Sequence, residues 1–211
     1  MLHKQAVEPA ALELIKLLQK KPYLNSFYLV GGTALALLYG HRKSADIDLF
    51  TNSDFDTLGL LENIQHDFSF QVNNTALNTI RGSIGDIKID LIAHRYPYLF
   101  PPIEQNGIRL ISEQDIIAMK LSAIAVSGQR SKDFIDIYYA LFRFSIGQML
   151  VFYKEKYSQK NDIHILKSLV YFDDVDLSDW PIIIDNPELT WAVVRKRIET
   201  DVLIFMKNYA K

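Results

Sequence analysis

The stretch YLVGGTALALLYGHRKSADIDLF, Tyr28–Phe50, decides how the rest of the chain is interpreted. An apolar segment ends in Gly31-Gly32, a short stretch of helical spacing follows, and Asp46 and Asp48 then stand one residue apart in an otherwise apolar strand pattern. Side chains at i and i+2 of a strand share a face, so the two carboxylates are predicted to lie about 7 Å apart. Such a pair repels unless a cation offsets it, and Mg²⁺ is commonly held by one or two carboxylates together with substrate phosphates.

The segment KIDLI, residues 88–92, carries a third carboxylate, Asp90. If its strand neighbours the strand of Asp46 and Asp48, three carboxylates converge, which is the ligand set of a two-metal centre for phosphoryl chemistry. Gly31 and Gly32 have no Cβ and lie where a helix is predicted to begin, so backbone N–H groups there favour a phosphate. The sequence therefore predicts phosphate and metal binding in adjacent parts of the chain.

Composition limits the possible classes of protein. The chain has 211 residues, 49% hydrophobic and 23% charged, which is typical of a globular protein with a sizeable core. It has no cysteine, which excludes disulfides, thiolate metal sites and cysteine nucleophiles. The formal net charge of -2 disfavours coating of a long nucleic-acid duplex but not the binding of one strand end or one nucleotide. Without a signal peptide or a membrane-spanning run, a cytoplasmic protein with no membrane association is expected.

Apolar periodicity and turn residues predict an α+β organisation with a helical C-terminal half. Thr33 is predicted to cap a helix that ends at Gly40, and Ser131 to cap a later helix. The predicted strands are 27–30, 46–51, 68–72, 77–82 and 86–93, with turns at Asn73-Asn74 and near Ser83–Gly85. A proline-rich loop is predicted over 95–107, and a final helix from about Glu188.

Four segments in order, LVGGTALAL, HRKSADIDLF, KIDLI and DIIAMKLSAIAVSGQRSKDFIDIYYAL, resemble the AbiEii/AbiGii-type toxin nucleotidyltransferases of the DNA polymerase β-like superfamily. The resemblance covers about residues 25–145. It implies a nucleotidyltransferase fold, a mixed β-sheet flanked by helices, with a core over residues 1–105 and a helical part over 106–211 that completes the active site. It also implies transfer of a nucleotide from an NTP, with Mg²⁺, to an acceptor hydroxyl such as a tRNA 3′ end, by a toxin of a type IV toxin–antitoxin or abortive-infection system with a cognate antitoxin.

The resemblance also implies roles for individual residues. The implied metal ligands and catalytic carboxylates are Asp46, Asp48 and Asp90. The implied nucleotide-binding residues are Gly31, Gly32, Thr33 and Lys120. Asp133 is favoured as the base or acceptor-orienting group, with Asp136 at i+3 as the alternative.

Other interpretations stay open at this stage. Lys120 could extend along an apolar helix to solvent, and Asp133 and Asp136 could be ordinary surface charges of a helix. The loop of His41-Arg42-Lys43 could be solvated or could meet phosphates. At the level of function, the alternatives are an NTP-binding partner protein without transferase chemistry, and nucleotidylation of a protein or a small molecule.

Overall fold

The computed structural model describes residues 1–209, without the side chain of the last of them, and the chain forms two compact units. The first unit is Met1–Ser112, and the second begins at Glu113. Among the described residues, no helix is both long enough and apolar enough to cross a bilayer.

A mixed sheet of seven strands organises the first unit, counted over residues 1–209. The strands are β1 (Tyr28–Leu29), β2 (Ile47–Thr51), β3 (Phe70–Ala76), β4 (Thr79–Ile84), β5 (Ile87–Ala93), β6 (Ile103–Gln105) and β7 (Ile108–Leu110). Their order in the sheet is β3-β4-β5-β2-β1-β7-β6. The pairs β2–β5 and β1–β7 are parallel, and the other neighbours are antiparallel. The predicted α+β class with a mixed sheet is confirmed.

Helices α1 (Pro9–Gln19), α2 (Gly31–Tyr39) and α3 (Thr57–Asp67) belong to the same unit. Their ends follow local chemistry. The side chain of Asp56 accepts a hydrogen bond from the Leu58 N–H and begins α3. Gly40 ends α2 in the left-handed conformation, with φ of 70°, and its N–H donates to the carbonyl of Ala36, as the sequence predicts.

Strand β2 has one face in the core and one face partly open to solvent. Ile47 and Leu49 are fully buried, as is Leu91 of β5, whereas Asp48 and Phe50 alternate with them and are half-buried. This alternation puts Asp48 and Phe50 on the partly open face.

Two local predictions in this unit are wrong. Thr33 does not cap α2, because the helix already begins at Gly31 and Thr33 lies buried inside its first turn. Asn73-Asn74 is not a turn but part of β3, where the register shifts between Val72 and Asn74. The chain instead reverses at Leu77-Asn78, because Asn78 adopts a φ of 58° and its side chain bonds to neighbouring segments.

The predicted proline-rich loop over 95–107 contains part of a hairpin. Its end forms β6, which pairs with β7 through the turn residues Asn106 and Gly107, whose φ values are 57° and 74°. Paired positive φ values at an Asn-Gly turn are typical of tight β-hairpins. The prolines at 101 and 102 precede the hairpin rather than prevent it.

The second unit is helical. Its helices are α4 (Glu113–Val126), α5 (Ser131–Ala140), α6 (Ile146–Tyr157), α7 (Ile163–Leu169) and α8 (Trp191–Tyr209). Ser131 is the first residue of α5 and not its cap, because the cap position is Arg130, and α8 begins three residues after the predicted Glu188. Phe134, Phe172 and Trp191 form an aromatic cluster with centroid distances of 5.4 to 5.7 Å.

A buried ion pair joins α4 to α6. Lys156 Nζ lies 2.7 Å from Asp115 Oδ1, and the two residues are 1% and 0% exposed. Removal of one partner of such a pair leaves an uncompensated charge in the interior.

We therefore expect Lys156→Met to lower the free energy of unfolding by about 3–5 kcal/mol. Urea denaturation measures this loss. The matched control is Lys16→Met, which breaks the surface pair with Glu13 and should change stability by less than about 1 kcal/mol. Equal effects of the two substitutions would contradict a special contribution of the buried pair.

Candidate active site

Asp48 and Asp90 lie directly opposite each other on neighbouring parallel strands. They are register partners of β2 and β5, and both are half-buried on the open face of the sheet. Adjacent strands are about 5 Å apart, so one cation can contact both carboxylates. The sequence-predicted neighbourhood of these two aspartates is therefore present.

Arg81 of β4 is a third charged residue in this row. It is the antiparallel register partner of Asp90, and its Nε lies 3.3 Å from Asp90 Oδ2. The Arg81 side chain is 52% exposed, so this pair is a weak surface contact. Sequence analysis missed Arg81 because its role depends on the register between β4 and β5.

Asp46 stands just outside β2, which begins at Ile47, and it is exposed. The sequence prediction assumed that strand alternation fixes the Asp46 side chain beside that of Asp48. Because Asp46 lies outside the strand, alternation does not fix it there. Thr33 Oγ1 instead donates to the backbone carbonyl of Asp46 at 2.5 Å and lies 2.8 Å from Ser44 Oγ. The Thr33 hydroxyl thus ties the Asp46 loop to α2.

Within residues 1–209, no group of three or more His, Asp or Glu side chains is arranged to hold a metal ion. The structure brings Asp48 and Asp90 side by side, and the role of Asp46 as a ligand stays a prediction. Two hard oxygen ligands on neighbouring strands still fit Mg²⁺, because this ion takes one or two carboxylates and completes its shell with water and phosphate oxygens.

The diglycine turn is filled by two charged side chains of the chain itself. Gly31 has a φ of 69°, and a Cβ there would lie 3.1 Å from Asp48 Cγ and closer still to its Oδ2. A Cβ on Gly32 would overlap Arg42 Nη2. Arg42 is only 3% exposed, so the solvated-loop interpretation fails for this residue. The positive φ and the close approach of Asp48 favour glycine at 31, whereas a Cβ at 32 would meet only the far end of the flexible Arg42 side chain.

The second unit holds a buried cluster of Lys120, Asp133 and Asp136. Lys120 Nζ of α4 lies 2.5 Å from Asp133 Oδ1 and 2.8 Å from Asp136 Oδ2, both on α5. The three side chains are 8%, 6% and 0% exposed, which excludes both a solvent-directed lysine and ordinary surface aspartates. Buried charge clusters of this kind are common at functional sites. Any phosphate bound by Lys120 would share it with two carboxylates.

The comparisons with known proteins agree with this architecture. Residues 14–203 match the family described as nucleotidyl transferase AbiEii toxin, type IV TA system. An uncharacterized protein of Aquifex aeolicus is 32% identical over 190 residues, which cover 87% of this chain and 90% of that protein.

Two solved structures show the same fold at low sequence identity. MenT4, a nucleotidyltransferase toxin of Mycobacterium tuberculosis, has a TM-score of 0.60 at 14% identity. The match covers 91% of this chain and 81% of the MenT4 chain. JHP933 of Helicobacter pylori has a TM-score of 0.56 at 18% identity. The match covers 96% of this chain and 94% of the JHP933 chain. With the family match over most of its length, the chain belongs to the AbiEii family of nucleotidyltransferase toxins of type IV toxin–antitoxin systems.

Proposed function

We propose that this protein transfers a nucleotide from an NTP to the hydroxyl of an RNA acceptor, such as a tRNA 3′ end, and releases pyrophosphate, in a Mg²⁺-dependent reaction that makes it a toxin. The observation that carries the proposal is the opposition of Asp48 and Asp90 in the β2–β5 register, with Asp48 against the diglycine turn. Membership of the AbiEii family supports the reaction class and implies a cognate antitoxin.

In this proposal Asp48 and Asp90 hold the metal, and Asp46 is a further ligand. Mg²⁺, when bound, supplies positive charge that stabilises the reacting phosphates. The first N–H groups of α2 face the phosphates, because they have no partner within the helix and carry the positive end of its dipole. Gly31 leaves room for the Asp48 carboxylate beside these N–H groups.

We assign Asp133 to the acceptor, as its base or orienting group. Lys120 fixes the position of this carboxylate and offsets its charge, and Asp136 holds Lys120 from the other side. Lys120 is therefore a positioning residue for Asp133, in addition to its predicted contact with phosphate.

The first prediction of this proposal tests the reaction itself. Purified protein incubated with each labelled NTP, Mg²⁺ and total tRNA should transfer label to RNA, and EDTA should abolish the transfer. Asp48→Asn and Asp90→Asn should lower the rate at least about 100-fold, because each replaces a charged carboxylate ligand of the metal by a neutral amide. The matched control is Asp86→Asn, in the exposed turn between β4 and β5, which should retain the wild-type rate.

Each alternative has its own result in this assay. Label in protein or in a small molecule would contradict the RNA acceptor, and nucleotide binding without any transfer would contradict the enzyme. A fully active Asp48→Asn protein with unchanged thermal unfolding would contradict the assignment of the metal ligands.

The second prediction concerns the diglycine turn. Gly31→Ala should lower the transfer rate at least about 100-fold, because the new Cβ displaces the Asp48 carboxylate that holds the metal. Gly85→Ala is the matched control: Gly85 also has a positive φ, 57°, but nothing lies within 4 Å of its added Cβ. Both substitutions bear a backbone penalty of about 1–2 kcal/mol, so both should lower the unfolding temperature, while activity falls only in Gly31→Ala. Equal activities would contradict the role of the turn.

The third prediction separates Asp133 from Asp136. Asp133→Asn should lower kcat about 10²-fold or more, because it removes the proposed base. Asp136→Asn should keep more of the activity and lower the thermal stability further, since Asp136 is the more deeply buried carboxylate. Single-turnover rates and thermal unfolding of both variants measure the difference. The reverse pattern would assign the base to Asp136.

A further inference from the structure

Beside the row of Asp48 and Asp90, the open face of the sheet carries a row of apolar and aromatic side chains. Phe50 follows Asp48 by two residues on β2 and therefore shares its face. Tyr28 of β1 and Ile92 of β5 are the register partners of Phe50. All three are half-buried, whereas the corresponding residues on the opposite face are fully buried.

The segment that follows β5 extends this row with further rings. The His94 N–H donates to the Thr51 carbonyl at 2.7 Å, which continues the β2–β5 pairing. The His94 ring stacks on Phe50, with centroids 6.3 Å apart and planes at 27°, and the Tyr96 ring lies 4.8 Å from His94. We call Phe50, His94 and Tyr96 the aromatic ledge.

The outer end of the ledge is exposed to solvent. Tyr96 is 43% exposed, and Phe100 in the same segment is 46% exposed. Tyr98, which lies between these two residues in sequence, packs edge-on against Tyr28 of β1 with the ring centroids 5.6 Å apart and so anchors the segment to the sheet. The chain thus holds exposed aromatic surface in place next to the carboxylate row, and such surface is suited to stacking a planar ligand.

We propose that the aromatic ledge binds the base of the incoming nucleoside triphosphate; this inference rests on the proposed function. Phe50 lies two residues after Asp48, about 7 Å along the strand, which matches the span of the ribose between the phosphates and the base. Bases stack on aromatic side chains without regard to sequence, because every base has a π-face. Phosphates at the carboxylate row therefore bring the base over the ledge.

The test uses the full chain with Mg²⁺ and the triphosphate of 2-aminopurine riboside, whose fluorescence is quenched on stacking. Tyr96→Ala should weaken its binding about tenfold and reduce the quenching. Tyr96→Phe keeps the ring and should behave as the wild type. Inorganic triphosphate has no base, so its affinity should be equal in the wild type and in Tyr96→Ala. Tyr171→Ala removes another exposed tyrosine, 52% exposed, in the second unit and should have no effect.

Three results would overturn the inference. The first is unchanged binding and quenching in Tyr96→Ala. The second is an equal loss of affinity for inorganic triphosphate, which would show a merely structural role. The third is that Tyr96→Ala reduces the quenching only of an RNA that carries 2-aminopurine at its 3′ end, which would show that the ledge binds the acceptor and not the triphosphate. The assay needs no transfer, so the expected pattern in a protein that never labels RNA would support the ledge and contradict the proposed reaction.

Discussion

The opposition of Asp48 and Asp90 across the β2–β5 pair is the constraint on which the candidate site depends. Two unit charges about 5 Å apart repel by about 3 kcal/mol at an effective dielectric constant of about 20. The exposed ion pair between Arg81 and Asp90 offsets at most about 1 kcal/mol of this repulsion. A divalent cation between the two carboxylates would replace this repulsion by attraction, and the parallel register that brings the carboxylates together also sets their separation.

Buried ion pairs of α4 likewise join the helices of the second unit. Asp115 near the start of the helix pairs with Lys156 of α6, and Lys120, five residues later, pairs with two aspartates of α5. The first pair is balanced and lies in the interior, so its main consequence is for stability. In the second cluster a single lysine contacts two carboxylates, and buried groups of this kind are candidates for a functional site.

The sequence was sufficient for those features of the site that depend on local chemistry. Alternation along β2 predicts that Asp48 shares no face with Leu49, and the glycine at 40 predicts the end of α2. Features that depend on tertiary register were out of reach: no local pattern pairs Arg81 with Asp90, or directs Asn78 rather than Asn73 into the turn.

Asp46 and Arg42 show the same limit at the centre of the site. The spacing of Asp46 and Asp48 suggests a shared strand face, but β2 begins one residue too late to enforce it. Arg42 belongs to a basic loop that composition alone cannot distinguish from a solvated one, yet it is buried against Gly32. In both cases the deciding contact joins α2 to the loop before β2, and a side chain's place in such a contact follows from how the elements pack.

The diglycine turn shows how a family motif can have a physical basis different from its usual explanation. Glycines at a helix start are usually explained by the approach of a phosphate to the backbone. Here the space left by Gly31 and Gly32 is already shared with an anionic and a cationic side chain, Asp48 and Arg42. The two glycines are therefore not equivalent: a side chain at 31 would displace the Asp48 carboxylate and strain a positive φ, whereas one at 32 would displace only the Arg42 guanidinium. The turn couples the start of α2 to Asp48 of β2, so that a change in either element would move the other.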